Sequence, residues 1–138
     1  QLTLRLMQVT LLSIYFSAGL WKIREISLLN IKNIALEHLA INVAIEHSPF
    51  GFIQELLLFK YNWLPGIGFG LVLLFQLSTI IPILKMRYFR IWGVAAIAFH
   101  LSSGLVIGIW YEQFAIASAL LLVFYEALFD LEKRRLEN

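Results

Sequence analysis

Cysteine is missing from the chain altogether. That excludes disulfides, thiolate nucleophiles, iron–sulfur clusters and cysteine zinc sites together, and leaves the redox compartment undetermined. Charge is almost as scarce: only 14% of the 138 residues are Asp, Glu, Lys or Arg, against about a quarter in an average soluble domain. The net charge of +2 is small, and the basic residues lie beside apolar runs, so nucleic acid is not an expected partner. No serine nucleophile elbow, phosphate loop or dinucleotide fingerprint occurs, nor any internal repeat or low-complexity tract.

What the chain does hold is apolar: 60% of its residues are hydrophobic, with eleven Phe, five Tyr and four Trp. A soluble core of this size cannot enclose four long apolar runs, so the lipid bilayer is the expected surrounding. The runs are residues 4–23, 64–84, 91–110 and 114–129, each near the length needed to cross about 30 Å of hydrocarbon. Residues 24–62 are apolar but interrupted by Glu25, Lys32, Glu37, His38, Glu46, His47, Glu55 and Lys60. They predict an external interfacial or re-entrant segment, with one helix near 31–45, a second near 52–59 and a break at Ser48-Pro49-Phe50-Gly51. The expected fold class is therefore all-α, a single polytopic domain over residues 1–138. The short Tyr111-Glu112-Gln113 turn makes the last two spans antiparallel neighbours.

Orientation follows from lysine and arginine in the short loops. In a four-span path Arg5, Lys85, Arg87, Arg90, Lys133, Arg134 and Arg135 share one side, seven of the eleven basic residues. Both termini are expected in the cytoplasm, in a multi-pass protein of the bacterial inner membrane type. The opening on Gln1, without an initiator methionine, fits a piece of something longer.

Two residues stand out for chemistry. Lys22 lies within a turn of the membrane boundary, where a partly desolvated ammonium can serve as base or nucleophile, although lysines at helix ends ordinarily snorkel to the headgroups. His100 lies mid-span, roughly 14 Å from either end of its helix, and should face protein or a cavity; a bond to Ser78 or Thr79 would fasten two helices. Glu126 in the fourth run is a candidate for a proton relay or a buried pair. Gly66 with Gly70, and Gly104 with Gly108, form small-xxx-small faces expected to serve packing. The Glu37-His38 and Glu46-His47 pairs match no metal-ligand spacing, so no metal site is expected.

The order of weak motifs is also familiar. YFSAGLWKI, then a charged loop containing EHLAINVAIEHSPF, then a glycine-rich span and FHLSSGLVIGIW resembles the membrane domain of vitamin K-dependent gamma-glutamyl carboxylases and the wider horizontally transferred transmembrane (HTTM) domain family. The likeness covers about residues 8–125. It implies that Lys22 matches the lysine proposed as the base on reduced vitamin K and that His100 matches the histidine of the family's FH segment; the cofactor stays open, with a quinone or lipid as the candidate. Where that family continues with Asp-Trp and Gly, this chain has Arg24-Glu25-Ile26, so the substrate-positioning part of the pattern is unmatched. These 138 residues include no counterpart of the carboxylases' large extramembrane domain. Four-helix DoxX-like membrane proteins are a looser resemblance. Two functions follow: an accessory or structural subunit of a larger membrane complex of photosynthetic or respiratory type, with other membrane subunits as partners, or a quinone-dependent carboxylase-like enzyme using Lys22 as base.

Overall fold

A computed structural model describes residues 2–25, 31–45, 51–107, 111–125 and 127. Within these the chain is helical with short turns and no strand. The first helix, α1 (Leu2–Glu25), carries Lys22 and Arg24 in its last turn, where cations offset the carbonyl end of the helix dipole. It is followed by α2 (Ile31–Ile45) and by α3 (Gly51–Glu55), which runs into a π-helical turn over Leu56–Lys60. Helix α4 (Leu64–Ser78) starts with Pro65 in its first turn, a position where the missing N–H costs nothing. Pro82, three residues beyond the Thr79 break, cannot donate to the Ser78 carbonyl, which accounts for the separate α5 (Ile80–Lys85). Helix α6 (Phe89–Ile107) follows a turn in which Met86 and Tyr88 take positive φ. Helix α7 (Glu112–Ser118) passes into a second π-helical turn over Ala119–Phe124.

Among the described residues two helical stretches are long and apolar enough to cross a membrane: Leu2–Arg24, 23 residues, within α1, and Leu64–Lys85, 22 residues, over α4 and α5 together. The apolar helices over Phe89–Leu105 and Glu112–Phe124 are shorter. Helix α4 packs on both α1 and α2, α6 packs on α7 and its π-helical continuation, and α1 also touches α5 and that continuation. The core knits the two halves together through Leu11, Leu12, Tyr15, Phe89, Ala96 and Leu122.

Its polarity departs from that of a soluble bundle on both the inside and the surface. Among the described residues seven polar side chains are buried, from Gln8 on α1 to Ser118 on α7, while 28 large hydrophobic side chains are exposed. On α1 the inner stripe is Arg5, Gln8, Leu12, Tyr15, Gly19 and Lys22, spaced alternately by three and four residues, so polar groups occupy the seam that normally holds leucine. Leu6, Met7, Ile14, Leu20 and Trp21 point outward.

Among the described glycines, Gly19 and Gly93 meet a neighbouring helix most tightly. A Cβ on Gly19 would stand 3.0 Å from the Gln76 Cβ on α4, and one on Gly93 only 2.6 Å from the Leu122 Cβ. Of the expected Gly66–Gly70 face, only Gly66 meets a neighbour, the Lys32 Cα at 3.2 Å, and Gly70 faces open space. Gly104 is buried as expected, whereas Gly108 lies outside the described residues.

Candidate functional site: a polar seam inside the bundle

The seam on α1 is a ladder of hydrogen bonds to the other helices. At one end the Arg5 guanidinium donates to Gln8 Oε1 at 3.0 Å and stacks over the Phe89 ring at 5.1 Å. This puts Arg5 at the same end of the bundle as the turn bearing Lys85, Arg87 and Arg90. Gln8 in turn donates from Nε2 to the Leu121 carbonyl at 2.6 Å, within the π-helical turn where the regular α-helical ladder is opened. One turn further along, the Thr79 hydroxyl lies 3.2 Å from the Leu12 carbonyl oxygen and donates to the Gln76 carbonyl at 2.7 Å. This bond takes up a carbonyl at the α4–α5 break, where the helix leaves orphan acceptors.

Tyr15 forms the centre. Its hydroxyl lies 2.6 Å from His100 Nε2 on α6 and 3.1 Å from Ser118 Oγ on α7, so one side chain ties three helices. An aromatic shell surrounds the pair: Phe99 at 4.9 Å, Phe114 at 5.9 Å and Tyr111 at 5.9 Å from the His100 ring, and Phe75 edge-on to Tyr15 at 5.7 Å. His100 is thus held inside protein, as expected from its place in the middle of the third apolar run. Its partner is not Ser78 or Thr79, however. Thr79 is turned toward α1, and the Ser78 hydroxyl donates to the Phe75 carbonyl at 2.7 Å while accepting from Trp92 Nε1 at 3.3 Å. The phenol wins because Tyr15 stands one inner position along the α1 stripe from Leu12 and reaches the gap between α6 and α7. Ser102 and Ser103 donate to the Ala98 and Phe99 carbonyls of their own helix, and among the described residues they join nothing across it.

At the far end Lys22 Nζ donates to Gln76 Oε1 at 3.0 Å. The ammonium does not snorkel outward. Gln76 lies opposite Gly19, one turn before Lys22, so the side chain runs back into the bundle, in the direction helical Cα–Cβ bonds tilt. Gly19 makes this feasible by leaving the room that a side chain there would fill.

Lys22 and His100 are not joined. Lys22 and Tyr15, which holds His100, share a face of α1 but are seven residues apart, about 10 Å along the axis. The side chains of Glu46, His47 and Glu126 lie outside the described residues, as does that of His38; Glu37 is exposed. Among the described residues no three His, Cys, Asp or Glu side chains come together in a metal-binding group. The residues that sequence reasoning passed over are Gln8, Tyr15, Gln76 and Ser118. The alternating three-four spacing of polar residues on α1 would have found the first two.

Compared with protein-family models, with characterised proteins and with solved structures, the chain matches none.

Proposed function

We propose that this is an integral membrane subunit of four spans with an HTTM-like arrangement, serving as a structural or accessory component of a larger membrane assembly. The carrying observation is the distribution of polarity: Gln8, Gln76, Thr79, His100 and Ser118 buried within the bundle beneath a surface of exposed Leu, Ile, Phe and Trp. In water that distribution forfeits the hydrophobic effect, and in lipid it gains interhelical hydrogen bonds. Lys22 and His100 fit the same reading, since each spends a polar atom on a neighbouring helix. Helices α6 and α7 complete the four spans, with the basic turn at Lys85 to Arg90 in the cytoplasm and the segment of α2 and α3 outside. Gentle solubilisation followed by native mass spectrometry is expected to find other membrane subunits bound in fixed stoichiometry; a monodisperse single chain would overturn the subunit reading.

The topology has its own check. A cysteine placed at Asn42 should react with a membrane-impermeant maleimide added from outside, and one at Arg87 should not. The reverse pattern would sink the orientation.

As an interhelical tie, Lys22 is replaceable by another donor. Lys22→Arg is expected to keep insertion, stability and partner content, because a guanidinium donates to Gln76 equally well. Lys22→Met should cost about 1–3 kcal/mol, the usual penalty for a buried acceptor left unpaired. Arginine, with a pKa above about 12, cannot act as a base near neutral pH. A correctly inserted Lys22→Arg protein that loses turnover in its parent complex by about 10²-fold or more would therefore favour the base over the tie.

A further inference from the structure

Between Glu55 and Glu112 the chain holds no acidic residue, yet the turn that joins α5 to α6 carries three cations close together, Lys85, Arg87 and Arg90. All three are exposed, and among the described residues none takes part in an ion pair. Arg87 lays its guanidinium over the ring of its neighbour Tyr88 at 5.0 Å. The backbone keeps these charges crowded. Met86 at φ 49° and Tyr88 at φ 68° both take left-handed values, which reverse the chain at once where an open loop would spread the cations apart. A bulky residue in that conformation is strained, and such strain persists where the surroundings hold it, often at binding sites. Phe89, fully buried, pins the turn to the core. On either side of the charges the surface is aliphatic, with Leu84 and Ile91 both exposed.

We infer that the α5–α6 turn binds the phosphate of an anionic phospholipid, with Lys85, Arg87 and Arg90 around the headgroup and Leu84 and Ile91 beside the acyl chains. Three like charges on one short turn repel one another until an anion joins them. Guanidinium and ammonium groups both donate to phosphate oxygens, arginine bidentately. A zwitterionic headgroup brings a cation of its own and leaves the turn unneutralised. An acidic segment of a partner protein would supply the charge but no chain to cover the flanking aliphatic side chains, whereas an anionic lipid supplies both. The position of the turn at the lipid surface rests on the membrane reading above; the crowded cations and their lack of a counter-charge do not.

The test follows the Tm of the purified full chain in a neutral detergent as dioleoylphosphatidylglycerol, dioleoylphosphatidylcholine, glycerol phosphate or hexaglutamate is added. Phosphatidylglycerol should raise Tm saturably by about 3 °C, and the other three by clearly less. Lys85→Gln, Arg87→Gln and Arg90→Gln should each move the midpoint of that titration about fivefold toward higher lipid, roughly the factor that one cation near an anionic surface contributes. The triple variant should lose the response without lowering the Tm of the lipid-free protein, since all three side chains are exposed. Neutralising Lys133, Arg134 and Arg135 to Gln removes the same charge elsewhere in the chain and should leave the response in place. Equal gains from the two phospholipids, a response that survives the triple variant, or its equal loss in the control would each overturn the inference. So would a gain matched by glycerol phosphate, which marks a free-phosphate site, or by hexaglutamate, which marks an acidic protein segment as the occupant. Resistance to alkaline carbonate extraction is measured alongside: an inserted chain without the phosphatidylglycerol response loses the site alone, and an extractable chain loses the membrane reading.

Discussion

Tyr15→Phe should destabilise the bundle by about 1–3 kcal/mol, although it removes a single oxygen and leaves the packing volume nearly unchanged. The hydroxyl is the shared partner of His100 Nε2 and Ser118 Oγ, both on buried residues, and among the described residues neither atom has another tie across the seam. Without it two polar groups from two helices remain dry and unpaired, which costs more than the bonds themselves contributed. A double-mutant cycle gives the sharper form of the expectation. His100→Leu alone should also be costly, because it orphans the phenol. Tyr15→Phe with His100→Leu should cost well below the sum of the two, since replacing both partners with apolar groups is nearly neutral. Thermal unfolding in detergent reads all three variants. Strict additivity would mean that the 2.6 Å contact carries no coupling energy and that the aromatic shell alone holds α1 against α6.

The helices were largely legible in the sequence because lipid-length apolar runs and their punctuation are local signals. The helix expected near residues 31–45 is α2 at Ile31–Ile45, whereas the run over residues 64–84, read as one continuous helix, is interrupted at Thr79 ahead of Pro82. Membrane crossing by all four runs was less legible, since among the described residues only two helical stretches are long and apolar enough to span. The polar partners were the hardest to foresee. A mid-span histidine has to face protein, but which hydroxyl it meets depends on helix rotation and register, and Tyr15, Ser78 and Thr79 all lay within the range that sequence allows. Lys22 illustrates the same limit. Its position near the helix end predicts snorkelling, and only the placement of Gly19 against α4, with Gln76 facing it, turns the ammonium inward. Glycine spacing was similarly incomplete, because a small-xxx-small pair identifies a face on one helix without saying whether a neighbour comes to it. Gly70 has none, and Gly93, which belongs to no such pair, has the nearest.

Gly93 is where the largest effect of any single substitution is expected. A Cβ built there would lie 2.6 Å from Leu122 Cβ, 2.8 Å from Val123 Cγ2 and 3.2 Å from the Leu122 carbonyl carbon. Two of these neighbours are fixed parts of the α7 continuation rather than tips of flexible side chains, so a rotamer change cannot relieve the contact. Helix propensity favours alanine over glycine by about 1 kcal/mol in a helix interior. Overpacking opposes it with about 1–3 kcal/mol, and more when backbones must separate. Gly93→Ala should therefore be net destabilising, and Gly93→Leu should push α7 off α6, exposing Leu122 and loosening the Gln8 bond to the Leu121 carbonyl. Gly70→Ala supplies the internal control: with nothing within 4 Å of its Cβ, only the propensity gain applies, and stability should rise by up to about 1 kcal/mol. Opposite signs for these two alanines in one thermal-unfolding series are the expected result, and a stabilised Gly93→Ala would show that α6 and α7 do not approach each other at this glycine.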